Sequence, residues 1–168
     1  IIGDIPIYVA MDSADTWANP WLFKLDEKNC PTQVAGCPPD GFSATGQLWG
    51  NPLYNWEVHR NSGYEWWIKR IANCFRLYDV VRIDHFRGFD EYYAIPYGDA
   101  TAENGWWEKG PGIDLFRAIS ARLGDREIIA EDLGYMTDSV KRLVEESGYP
   151  NMKVIEFAFD ERDTGNAS

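Results

Sequence analysis

The sequence predicts an α/β fold of repeated strand–helix units. Three observations carry that expectation. Four short runs are apolar and rich in β-branched residues, helical patterns lie between them, and glycines punctuate the joins. Short and nearly continuous apolar runs are the pattern of strands buried on both faces of a parallel sheet.

The first run, Ile1 to Ala10, has no basic lead of the kind that opens a signal peptide and reads as a strand already under way. A long segment follows, from Met11 to Ser62, with Pro20, Pro31, Pro38, Pro39 and Pro52. It is too aromatic for a flexible linker, and a loop of this length in a compact domain usually serves function. Tyr64 to Phe75 carries apolar residues at helical spacing, and Leu77 to Ile83 is the second strand. Asp114 to Gly124 is a helix closed by its glycine, before a third strand over Glu127 to Ala130. Thr137 caps a helix that runs to Gly148, and Met152 to Phe159 is the fourth strand. Four strands do not close an eight-stranded barrel. Both ends of residues 1–168 therefore read as cuts through a larger α/β fold.

The 168 residues suffice for a sizeable core, and a hydrophobic share of 45% marks a globular chain. The formal net charge of -11 argues against nucleic acid and anionic membrane surfaces, and it suits a neutral ligand. No stretch approaches the roughly 20 apolar residues of a membrane span. Cys30, Cys37 and Cys74 form no disulfide framework, which favours a reducing compartment such as the cytoplasm. The cysteines lack the spacing of a zinc site and His59 and His85 are far apart, so no metal is expected. Most of the eight Trp and nine Tyr belong in a core, while several suit a cleft whose flat rings stack on sugar faces.

Two strand ends carry acids. Val80-Val81-Arg82-Ile83-Asp84-His85 ends an apolar run in a carboxylate, and Ile128-Ile129-Ala130-Glu131-Asp132 does so again. Two acids on separate strands of one sheet are what glycosidic-bond chemistry requires. Arg82 and Asp84 share a strand face, so the guanidinium could hold an ionised nucleophile. The plainer alternative is an ion pair that ties the strand end. His85 could donate to a sugar hydroxyl, or it could be a satisfied core histidine. Of Glu131 and Asp132 only one should reach the cleft, because neighbours on a strand face opposite ways. Glu131 suits a general acid, or else it caps the turn at Gly134.

Five segments taken in order resemble the 4-α-glucanotransferase family, the amylomaltases and plant disproportionating enzymes. They are Gly3 to Ala10, Asp12 to Asp15, Gly46 to Tyr54, Arg82 to Gly88, and Ile129 to Gly134. The resemblance implies a (β/α)8 barrel related to the α-amylases, of which the four strands are about the third to sixth. It implies transfer of α-1,4-glucan segments between maltooligosaccharides, by retaining double displacement and without a cofactor or metal. Asp84 becomes the nucleophile and Glu131 the acid/base, while Arg82 holds Asp84 and His85 contacts the sugar. Asp4, Gln47 and Trp49 match positions beside the glucan, and Tyr8 is placed with them. Phe42 matches an aromatic of a mobile loop, although Gly41 stands where the family usually has a tyrosine. The resemblance implies a cytoplasmic enzyme, or a plastid one in a plant. The family's third catalytic carboxylate is expected beyond Ser168, so the segment alone is expected to be nearly inactive. Its unpaired strand edges are expected to self-associate. An amylase-like retaining hydrolase and a non-catalytic glucan-binding fragment are the alternatives.

Overall fold

The computed structural model describes residues 1–134 and 136–153. Three parallel strands form the first sheet in the order β1-β4-β7, with β1 over Ile2–Pro6, β4 over Val80–Asp84 and β7 over Ile128–Ala130. Their register lines up Asp4, Arg82 and Ile129, with Pro6 opposite Asp84 two residues further on. Three helices follow the pattern expected for them: α3 over Glu65–Cys74, α4 over Ile113–Leu123 and α5 over Asp138–Ser147. Gly124 ends α4 at a positive φ of 70°, and the Thr137 hydroxyl accepts the Val140 N–H at 3.3 Å to start α5.

One core joins sheet and helices. Trp67 and Ile71 of α3, Leu115 and Ile119 of α4, and Leu143 and Val144 of α5 pack with Ile5, Val81, Ile83 and Ile128. Burial of these side chains is the main force that holds the helices to the sheet.

The expectation of strands covered on both faces is corrected. Gly3 and Ile5 are buried, whereas Ile2, Asp4 and Pro6 are exposed. On β4, Val81 and Ile83 are buried while Arg82 and Asp84 are half-buried. Among the described residues, the helices cover one face only, and the open face carries the charged side chains. The first strand also ends at Pro6, so Ile7 to Ala10 leave the sheet.

The long Met11–Ser62 segment is likewise corrected: it is not one loop. It holds α1 (Ala14–Ala18), β2 (Gln33–Cys37), β3 (Gln47–Pro52) and α2 (Trp56–Asn61). Strands β2 and β3 join β5 (Glu91–Pro96) and β6 (Trp106–Lys109) in an antiparallel sheet of order β3-β2-β5-β6. All four of its strands come from the connections that follow β1 and β4. The second sheet is therefore built from segments that leave the C-terminal ends of the parallel strands. Of the expected strand from Met152 to Phe159, the part beyond 153 lies outside the described residues. The Ala130 N–H donates to Pro150 O at 2.9 Å, and Asn151 bridges Ala130 in parallel sense.

Candidate active site

The charged row starts at Arg82. Its side chain is 20% exposed, and it reaches Asp4 Oδ1 at 2.7 Å and Asp84 Oδ1 at 2.8 Å. Strand register explains the first contact, since Asp4 lies opposite Arg82 on the adjacent strand. Two-residue periodicity explains the second. Burial opposes the guanidinium charge, but Asp4 and Asp84 outweigh it and raise the Arg82 pKa. The third guanidinium nitrogen of Arg82, Nε, points its N–H at Met152 Sδ 3.0 Å away.

His85 follows with φ 54° and ψ 47°, in the left-handed region. The chain then turns through a 3-10 segment, Phe86–Phe89. A Cβ on Gly88 would stand 2.7 Å from Ile7 Cδ1 and 3.1 Å from His85 Cδ2, so both side chains would have to shift to admit one. The His85 ring meets the Trp49 ring edge-on, with centroids 4.8 Å apart. Its Nε2 is buried with no hydrogen-bond partner among the described residues. Burial and the nearby Arg87 charge pull its pKa down to about 4 against the opposing pull of Asp84. The imidazole is therefore neutral at pH 7.

Glu131 stands beside this turn. Its Oε2 accepts the His85 N–H at 2.8 Å, and its Oε1 accepts the Leu133 N–H at 2.7 Å. Asp132 faces elsewhere and binds the Met152 N–H at 3.2 Å and Asn151 Nδ2 at 3.1 Å. The two neighbouring carboxylates thus bind different partners, just past the end of β7.

A cleft of about 310 Å³ opens over Asp84 and His85, with Pro6, Tyr8, Trp49 and Asn51 among its walls. Tyr8 is buried, stacks on Tyr54 at 6.0 Å and tilts against Trp49 at 6.3 Å. It lies past the end of β1 rather than along it. Gln47 Oε1 accepts the Trp49 indole N–H at 3.0 Å, so Gln47 steadies the wall. Asn51 donates to Val9 O at 3.0 Å and pins β3 to the segment after β1. Asn51 and Pro6 were not foreseen as cleft residues. Asn51 follows Gly50, and that pairing reads as a turn.

Phe42 stands apart. Its side chain is fully exposed at a turn that Asp40 Oδ1 closes by accepting the Phe42 and Ser43 N–H groups at 2.8 and 2.7 Å. A Cβ on Gly41 would meet nothing within 4 Å, so a larger side chain has room there. A larger hollow of about 490 Å³, lined by Trp66, Arg70 and Tyr78, sets its acid, Asp15, among two basic side chains, Lys69 and Arg70, and holds no histidine. Chemistry rather than size singles out the Asp84 cleft. No cluster of three or more metal-ligating side chains occurs among the described residues.

Comparison with known proteins bears on this geometry. The profile described as 4-alpha-glucanotransferase matches residues 1–168. The chain is 58% identical over 163 residues to the 4-alpha-glucanotransferase of Streptococcus pneumoniae, which covers 97% of this chain and 32% of that protein. It is 49% identical over 159 residues to the chloroplastic/amyloplastic 4-alpha-glucanotransferase of Solanum tuberosum, covering 95% of this chain and 28% of that one. It superposes on an amylomaltase from Streptococcus agalactiae, solved in complex with acarbose, with a TM-score of 0.94 and 50% identity. That match covers 99% of this chain and 34% of the other. The chain spans about a third of the length of the curated relatives it matches. With strand-end acids, the arginine row and the aromatic wall all present, the chain belongs to the 4-alpha-glucanotransferase family.

Proposed function

We propose that this protein transfers α-1,4-glucan segments between maltooligosaccharides by retaining double displacement. In the first step an Asp84 oxygen bonds to the anomeric carbon and the glycosidic C–O bond breaks. The proton on Glu131 goes to the departing oxygen. In the second step a hydroxyl of an acceptor glucan attacks the anomeric carbon, Glu131 takes its proton, and Asp84 leaves as a carboxylate. Arg82 holds Asp84, the neutral His85 binds a sugar hydroxyl through Nε2, and Tyr8 and Trp49 wall the sugar. Asp4 acts beside the glucan by way of Arg82, and Gln47 by way of Trp49. The exposed Phe42 turn folds over bound glucan.

One observation supports this most. The residue after Asp84 donates its main-chain N–H to the Glu131 carboxylate at 2.8 Å, a contact that supports pairing the two acids in one reaction. Retention needs carboxyl groups about 5–5.5 Å apart, close enough for a covalent intermediate. We also propose that β1, β4 and β7 are about the third to fifth strands of a (β/α)8 barrel. The likeness to amylomaltase and the acids at strand C-terminal ends support that placement. The compartment under this reading is the cytoplasm, or the plastid of a plant. No helix among the described residues is long and apolar enough to cross a membrane.

Maltotriose tests the reaction. The full-length protein is expected to yield glucose together with maltooligosaccharides longer than the substrate. Glucose and maltose alone would mean water is the acceptor, and transfer would fall.

A further inference from the structure

We propose that the main chain of His85 positions the acid/base Glu131, separately from any contact of the imidazole with sugar. This rests on the role given to Glu131 above. The peptides around Asp84 bracket Glu131. Before Asp84, Ile83 O accepts the Glu131 N–H at 3.1 Å. After it, the His85 N–H reaches Glu131 Oε2 at 2.8 Å and the Phe86 N–H reaches Glu131 O at 3.1 Å. The Asp84–His85 peptide plane at the end of β4 aims the His85 N–H, and the left-handed φ and ψ of His85 then turn the next peptide so that the Phe86 N–H also faces Glu131. A residue with a Cβ seldom adopts this conformation, so the surroundings enforce it.

The consequence is specific to catalysis. Leu133 holds Oε1 from the acid's own turn, but the donor to Oε2 belongs to the strand that carries the nucleophile. One hydrogen bond thus ties the orientation of the acid/base to that of Asp84. When Glu131 gives up its proton, negative charge grows on a carboxylate already facing a fixed N–H. A donor aimed at developing charge lowers the barrier more than it tightens substrate binding.

The test removes this N–H alone. In the full-length protein, His85 is replaced by its α-hydroxy acid, which turns the amide into an ester and keeps the imidazole. The kcat on maltotriose is expected to fall roughly tenfold to hundredfold, as for a hydrogen bond to a charged group, with KM nearly unchanged. Formation of the covalent intermediate from α-maltosyl fluoride, whose leaving group needs no proton, is expected to stay nearly as fast. An equal loss on both donors, or no loss on maltotriose, overturns the proposal. Glu131→Gln separates the two claims. If it leaves transfer intact, the role of Glu131 fails. If it abolishes transfer while the ester does not slow it, only the positioning role of His85 fails.

Discussion

The two sheets divide the work of the cleft. Under the proposed function the parallel sheet supplies the reacting groups: Asp84 and its Arg82 partner sit on β4, and Glu131 follows β7 directly. The antiparallel sheet supplies shape, with Trp49 and Asn51 on β3 walling the same cleft. Their surroundings differ accordingly. The acids hang from strands locked by a helix-packed core, while β3 is largely exposed between Gln47 and Gly50. Precision is placed where a core can hold it, and adaptable contact where the chain can still move.

Substitutions can break that division. Asp84→Asn is expected to lower transfer by more than about 10⁴-fold with secondary structure unchanged by circular dichroism. Glu131→Gln should cost about 10²–10⁴-fold on maltotriose. Arg82→Lys comes next. A lysine cannot bridge Asp4 and Asp84 with separate nitrogens, so kcat is expected to fall roughly tenfold to hundredfold. On the antiparallel sheet, Trp49→Ala should act mainly through binding and raise KM about tenfold, more than it lowers kcat. A Trp49→Ala loss in kcat as large as that of Asp84→Asn would erase the distinction between the sheets.

The smallest effect concerns stability. His59 is buried against Leu22 O, and burial pulls its pKa down to about 4, as it does for His85. Both folded values lie below the ordinary 6.5, so the folded state favours neutral rings. The unfolded chain binds more protons than the folded chain between about pH 6.5 and 4, and stability therefore falls as pH is lowered through that window. Tm measured against pH should show this fall, and His59→Gln should make it shallower. A Tm that is flat across the window would contradict the buried neutral pair.

The parallel sheet was legible in the sequence and the antiparallel one was not. Apolar runs ending in Asp84 and Glu131 mark strands whose side chains sort by burial. The glycines closing α4 and α5 mark helix ends for a backbone reason. By contrast, β3 reads Gln47-Leu48-Trp49-Gly50-Asn51-Pro52, with glycine and proline where strand propensity is weakest. β6 is only Trp106–Lys109, and its form depends on pairing with β5. The cleft followed the same split. Strand register and periodicity bring Asp4, Arg82 and Asp84 into one row, and just past the strand ends the His85 N–H meets Glu131. Asn51 entered the cleft through a long-range contact with Val9 that no local pattern announces.

The central claim is that Asp84 forms a covalent bond to the sugar. Glu131→Gln of the full-length protein, treated with α-maltosyl fluoride and analysed as peptides by mass spectrometry, tests it most directly. One maltosyl unit is expected on the peptide that contains Asp84. Fluoride release with no adduct on that peptide, or an adduct on a different carboxylate, would contradict it.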